Sequence, residues 1–395
     1  MSRLIPTFIL AFLIFLIALP SSILACPFCP SAGQTLVNEV NSAHFVVLGK
    51  MLKVNRDPEG GFGKGTTEMS IEVVIKDHPI LKDKKTIILP RMVPPDPKNE
   101  IRFLVFCEVY DGKIDPYKGE QIIGKSEIPE YLKGAIQIKD KPATEKLAYY
   151  FKHLDSPDWL VAADAFQEFA NSDYKDVREA AKKFSPEKLV TWLKSPTTPP
   201  SRIGLYGMLL GHCGQQKEHA AIVKSLLNDQ KIKELTGLDG LLAGYVLLDQ
   251  KEGLNHLSQL VANPKEEHYI RYAGLRTYEF LKEYHPEILS TDEILKRIEP
   301  MLDFPEDADL VIEKLRKWER WDFTPKIISL FTKDSHKIPL VQRSIIKYAL
   351  CVQGYENIIA DFIERVESDE ENSDRLSDIK LFLEQERKPE SSMMK

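Results

Sequence analysis

The chain has 395 residues, 43% hydrophobic and 9% aromatic, with 53 basic against 59 acidic residues and a formal net charge of −6. This is ordinary globular composition with ample apolar material for a core, and with no long basic block nothing in the charge selects nucleic acid or an anionic membrane as partner. The length calls for two domains, or for one domain followed by an extended array.

The first 29 residues carry the clearest address. Arg3 precedes an uninterrupted apolar run, Phe8 to Leu19, broken at Pro20; Ser21-Ser22-Ile23-Leu24-Ala25 then puts a small residue just before Cys26. This order predicts a signal peptide over residues 1–25, cut between Ala25 and Cys26, because the run is shorter than the ~20 residues that span a bilayer. The protein is therefore expected outside the cytoplasmic membrane, periplasmic or secreted. Ile23-Leu24-Ala25-Cys26 also resembles the lipobox of bacterial lipoproteins, which implies acyl chains on Cys26 and anchoring at a membrane surface. Plain secretion after the same cut is the alternative. The five cysteines, Cys26, Cys29, Cys107, Cys213 and Cys351, are an odd number, so in an oxidising compartment at least one is unpaired or lipidated.

Cys26-Pro27-Phe28-Cys29 admits a redox dithiol, half of a zinc site or a structural role. A thioredoxin-type thiolate needs a strand before it and a helix N-terminus to lower its pKa, and neither precedes Cys26. Zinc needs two further ligands at suitable spacing, and haem attachment needs histidine where Pro30 stands. The structural options are a small Cys26–Cys29 disulfide, or an anchor at Cys26 with a bridge from Cys29 to Cys107, which would close a long loop.

Leu36, Val37 and Val40 then mark one face of a short helix. Four strands follow by pattern, His44 to Lys50, Thr67 to Ile75, Thr86 to Leu89 and Ile101 to Tyr110, and strand texture runs on to about Ile138. Gly60 to Gly65 reads as a hairpin connection; Gly65 stands where a phosphate-binding loop needs serine or threonine, and a strand follows it where such a loop needs a helix. Pro90, Pro94, Pro95 and Pro97 stiffen the segment before the fourth strand, and Asp111-Gly112 closes a turn. The N-terminal cysteine of the mature chain, the short helix, Phe45-Val46-Val47-Leu48-Gly49-Lys50 and Phe103-Leu104-Val105-Phe106 before Asp111-Gly112-Lys113 together resemble the netrin-like or TIMP-like OB barrel. They also resemble exported planctomycete proteins that begin Cys-Pro-Phe-Cys and carry helical repeats. The TIMP-like resemblance implies a metalloenzyme inhibitor whose first cysteine chelates the zinc through its amine and carbonyl, the role Cys26 would take; acylation of Cys26 would block that amine.

From Pro142 the texture turns helical. Leu147, Tyr150, Phe151 and Leu154 form one stripe, and Val311, Leu315, Trp318 and Asp322 another, polar only at its last place. Ser156-Pro157-Asp158, Ser185-Pro186-Glu187 and Asn263-Pro264-Lys265-Glu266 read as helix starts, each with a cap, a first-turn proline and an acid. Gly207-Met208-Leu209-Leu210 and its following helix overlay Gly244-Tyr245-Val246-Leu247 and its own at an offset of 37 residues, a spacing that resembles HEAT-like repeats over roughly Pro142 to Phe382. Leu376, Ile379 and Leu383 mark a closing helix.

Catalytic motifs are weak. In Gly211-His212-Cys213-Gly214 a thiol adjoins an imidazole, but neighbouring helical residues point apart and the glycines read as a helix stop. Glu266-Glu267-His268 lacks paired histidines four apart, and Trp318 with Trp321 reads as packing on one helix face. The expectation is an α+β chain: a signal peptide over 1–25, an OB-like β-barrel over 26–138, an α-solenoid of HEAT-like helix pairs over 142–388 and a disordered tail over 389–395. No catalytic residue, metal or cofactor is assigned. Such a chain is expected to be a non-enzymatic binding or scaffold protein of the cell envelope that takes a protein partner on its solenoid surface and no nucleic acid, with a TIMP-like inhibitor or a Cys26/Cys29 thiol-redox protein as alternatives.

Overall fold

The computed structural model describes residues 27–28, 33–57, 65–98, 100–233 and 236–386; the leader, Cys26, Cys29, most of the glycine loop and the C-terminal tail lie outside them. The first element is helix α1 (Leu36–Ser42), capped by Thr35, whose hydroxyl accepts the Asn38 N–H at 3.0 Å. Seven strands follow: β1 (Phe45–Gly49), β2 (Met51–Arg56), β3 (Gly65–Ser70), β4 (Val73–Lys76), β5 (Thr86–Leu89), β6 (Ile101–Tyr110) and β7 (Lys113–Ile123). They form a four-stranded sheet, β4-β1-β6-β7, and a three-stranded sheet, β2-β3-β5, with every ladder antiparallel.

One residue separates β1 from β2 and two separate β3 from β4, so a single long hairpin bends through both sheets. At the bend, a Cβ on Gly49 would overlap the Ser70 carbonyl, which explains glycine there. β1 is buried on both faces. Val46 and Leu48 join the large core shared with the helices, whereas Phe45 and Val47 join a second core with Met51, Met69, Ile87, Leu89, Val105 and Cys107.

Three differences from the sequence pattern have local causes. β2 exposes most of its side chains and so shows no apolar alternation. β7 escapes notice because it is a polar edge strand containing Pro116, which faces Cys107 where the ladder shifts register; an edge bulge is where a strand tolerates proline. Strand structure ends at Ile123, not near Ile138, and residues beyond it form helix α2 (Ile128–Gln137), with Pro129 in its first turn and Ile128, Tyr131, Leu132 and Ala135 buried at helical spacing.

The remaining helices are α3 (Ala143–Phe151), α4 (Trp159–Ala170), α5 (Tyr174–Ala181), α6 (Pro186–Lys194), α7 (Ile203–Cys213), α8 (Gln216–Leu227), α9 (Gln230–Lys233), α10 (Leu238–Leu248), α11 (Gln250–Val261), α12 (His268–Tyr284), α13 (Thr291–Ile298), α14 (Ala308–Lys317), α15 (Thr324–Leu330), α16 (Pro339–Ala349), α17 (Glu356–Glu367) and α18 (Glu370–Glu386). The pair α7/α8 recurs as α10/α11 at offsets of 35 and 34 residues (203 to 238 and 216 to 250), slightly shorter than the 37 residues that separate Gly207 from Gly244. α7 is apolar almost all round and α10 likewise, and both are buried, while α8 and α11 are amphipathic. Their backbones meet: a Cβ on Gly207 would stand 2.6 Å from Leu241 Cα, and one on Gly244 would overlap the Gly207 carbonyl.

Ser185 caps α6 as expected, its hydroxyl accepting the Lys188 N–H. The other two proline turns lie upstream of their helices: Asp158, not Ser156, caps α4, and α12 begins four residues past Pro264. Trp318 and Trp321 do not share a helix face. α14 ends at Lys317, Glu319 turns left-handed with φ 54°, and the Arg320 N–H returns to the Leu315 carbonyl at 2.9 Å. Lys282 lies over Trp318, and Trp321 packs edge-on to Tyr348. α18 closes the chain with Leu376, Ile379 and Leu383 buried. No described helix is long and apolar enough to cross a membrane.

Candidate functional site

The described half of the cysteine motif sits on the helices. Phe28 is buried against Phe280 of α12, with ring centroids 4.8 Å apart, and its Cβ lies beside Gly204 of α7, where an added methyl would stand 3.4 Å away. The Pro27 carbonyl accepts from the Arg276 guanidinium at 3.0 Å, and Arg276 pairs with Asp239 of α10 at 2.6 Å. Three helices thus build a seat for two residues. Cys26 and Cys29, which flank that pair, lie outside the described residues.

Cys107, the third cysteine singled out, is a free thiol buried in the second core, and burial pushes its pKa up to about 12. Its expected partner, Cys29, lies outside the described residues. In β6, Leu104 and Phe106 face the core that contains Phe28, and alternation turns Cys107 to the opposite face. Cys213 and Cys351 are free as well.

Behind the Phe28 seat lies a polar network that sequence inspection missed. The Tyr174 hydroxyl lies 2.8 Å from His212 Nε2 and 2.7 Å from His285 Nε2, and His285 Nδ1 lies 2.8 Å from Glu287. One proton arrangement satisfies all of it: His285 donates from Nδ1 to the carboxylate and accepts the tyrosine proton at Nε2, and His212 donates from Nε2 to the tyrosine oxygen. Burial, with His285, Arg178 and Lys182 nearby, pushes His212 down to about 3; burial also lowers His285 against the pull of Glu287. The Tyr174 pKa is raised by burial, so this hydroxyl stays protonated and serves packing. Phe280 touches Tyr174, His285 and Phe28, joining network and seat. His212 turns to Tyr174 as α7 ends, and burial pushes the adjacent Cys213 thiol up to about 12.

A second polar cluster fastens α1. Asp164 of α4 accepts the Leu36 N–H and the Tyr131 hydroxyl, placing a carboxylate at the positive end of α1. At the other end Lys76 of β4 donates to the Val40, Asn41 and Ala43 carbonyls. Burial raises Asp164 to about 6 and Glu168, one turn on, to about 7, the latter opposed by the Thr35 and Tyr150 hydroxyls. Oε1 of Glu168 and Oδ1 of Asn41 line a polar cavity of about 390 Å³ beside α1 and carry no hydrogen bond in the structure. Among the described residues no group of three or more His, Cys, Asp or Glu side chains is placed to hold a metal ion. No protein-family model, curated protein or solved structure matches the chain.

Proposed function

We propose that the chain is an exported binding or scaffold protein of the cell envelope, made of an OB-like barrel and a solenoid of HEAT-like helix pairs. The strand order supports the barrel: β1 pairs with β4 and β6, β6 pairs with β7, β3 pairs with β2 and β5, and β5 lies beside β7 to close the circuit. The stacked pairs α7/α8 and α10/α11 support the solenoid, which presents a long outer surface suited to a protein partner.

The observation that carries this reading over its rivals is the seat of Pro27 and Phe28. A TIMP-like inhibitor needs the residues after its first cysteine to enter a foreign active site. Here the Pro27 carbonyl is bound by Arg276 and the Phe28 ring is buried against Phe280, so the segment is committed to its own helices. A mature chain starting at Cys26 would bring an amine or a lipid to the face formed by α7, α10 and α12. Mass spectrometry of the protein recovered from envelope fractions tests this: the expected N-terminus is Cys26, and a cytosolic protein beginning at Met1 would overturn it. Zinc chelated by the N-terminal amine, or a disulfide-reductase activity lost in Cys29→Ser, would restore one of the alternatives.

A further inference from the structure

A cleft of about 440 Å³ opens where the turn before α4 meets the turn before α7, away from the Phe28 seat, and its size falls within the ~300–1,000 Å³ of small-ligand sites. Its floor is aromatic: Trp192 and Tyr206 are buried with ring centroids 5.0 Å apart. Its wall is polar and already oriented. The Trp192 indole N–H donates to Asp155 at 3.1 Å, which uses one of the two carboxylate oxygens, and Arg202 is fixed by a 2.7 Å bond to the Leu154 carbonyl with its guanidinium over the Phe166 ring. Thr197 adds a hydroxyl. At the rim stands Trp159, 73% exposed at the first position of α4.

That exposure needs a reason, because tryptophan is highly buried on average and nothing about a first helical position calls for an indole. An exposed ring face beside a preformed polar wall is complementary to a ligand with one face of C–H bonds and an edge of hydroxyls. The weakly positive C–H hydrogens meet the negative face of the indole, and the hydroxyls reach a carboxylate that accepts and a guanidinium that donates. Asp155 and Arg202 carry opposite charges, so the wall favours a neutral ligand over a strongly charged one. We infer that this cleft binds a neutral pyranose unit of a saccharide, with Trp159 as stacking platform and Asp155 and Arg202 as the hydroxyl-reading pair. The inference goes beyond the proposed function and does not depend on export or on the state of Cys26.

The test is a titration of the full-length chain with maltotriose, cellotriose and triacetylchitotriose at millimolar concentrations, read by tryptophan fluorescence and by saturation-transfer NMR. Saturable binding of at least one sugar is expected, weakened about tenfold or more by Trp159→Ala and partly restored by Trp159→Phe, with an unchanged melting temperature because the ring is exposed. Asp155→Asn should weaken the same sugar. The inference is overturned if none of the three sugars binds, if Trp159→Ala binds as well as the parent, or if poly-L-proline binds at Trp159 where the sugars do not. Failure here would leave the N-terminal mass and the envelope location unaffected, so the two readings fail separately.

Discussion

Gly244 and Tyr174 show how single residues set the helical core. The Gly244 Cα lies so close to the Gly207 carbonyl that alanine would force α7 and α10 apart. Gly244→Ala is expected to cost on the order of 1–3 kcal/mol by overpacking, seen as a lower denaturant midpoint with an unchanged slope. Tyr174 holds two histidine nitrogens at once, so Tyr174→Phe removes one hydroxyl and strands both. A loss of about 1–3 kcal/mol is expected, larger than for a surface tyrosine. The same network sets an acid limit. His212 is depressed from an ordinary value near 6.5 to about 3, so its contribution is present above pH 6.5 and is lost as pH falls toward 3. Because burial is the main cause of the depression, replacing the titrating group itself is the test: His212→Gln should flatten the acid limb of the stability profile between pH 6.5 and about 3, and a limb that stays as steep as the parent's would contradict the assignment.

At the scale of elements, α1 is the pin between sheet and helices. It has seven residues, too few to be stable alone, and it is held at its start by Asp164 from α4 and at its end by Lys76 from β4. Asp164 and Glu168 have folded pKa values raised to about 6 and about 7, so their contribution is complete below the unfolded values near 4 and is lost as pH rises through 6 to 7. This dependence runs opposite to that of His212. Global stability, read as the denaturant midpoint, should therefore gain from these two carboxyls as pH falls from 8 to about 5, a gain that Asp164→Asn should reduce. A midpoint whose pH dependence over this range is the same in Asp164→Asn as in the parent would rule out the buried carboxyl as a controlling group.

For the molecule as a whole, one hydrophobic core runs from Phe28 and the sheet residues Val46, Leu48 and Phe106 through α2 and α7 to Leu383 of α18. The turn at 138–142 is thus a connection between two packed helices, and the Tyr149 hydroxyl of α3 bonds the Tyr131 carbonyl of α2 across it. Sheet and helices are expected to unfold together. All four tryptophans, Trp159, Trp192, Trp318 and Trp321, lie in the helical region, so their fluorescence and the infrared band of the strands should give coincident melting curves. A sheet that melts first would mean that the shared core contributes little. Phe28→Ala should release the N-terminal segment, costing at most about 3 kcal/mol because a chain end can undock without unfolding the rest. The readout is faster exchange around Gly204 and Phe280, with strand amides unchanged.

Periodicity alone determined the order of textures in this chain, because a period near two and a period near 3.6 are written in the side chains themselves: β1, β6, the α7/α8 and α10/α11 pairs and the closing stripe of α18 are all legible that way. Local chemistry also revealed the Ser185 cap. β7 was hidden, since an edge strand with polar residues and a proline obeys its neighbour's ladder and not its own pattern. The end of α14 was hidden too, because Glu319 is an unusual residue for a left-handed turn. The sites depended on tertiary structure altogether. Tyr174, His212 and His285 are spread over 111 residues, Asp164 finds Leu36 across 128, and Arg276 finds Pro27 across 249. No local period encodes such meetings; they follow from how helices buried on all sides stack, and only the packed chain brings the partners within hydrogen-bond reach.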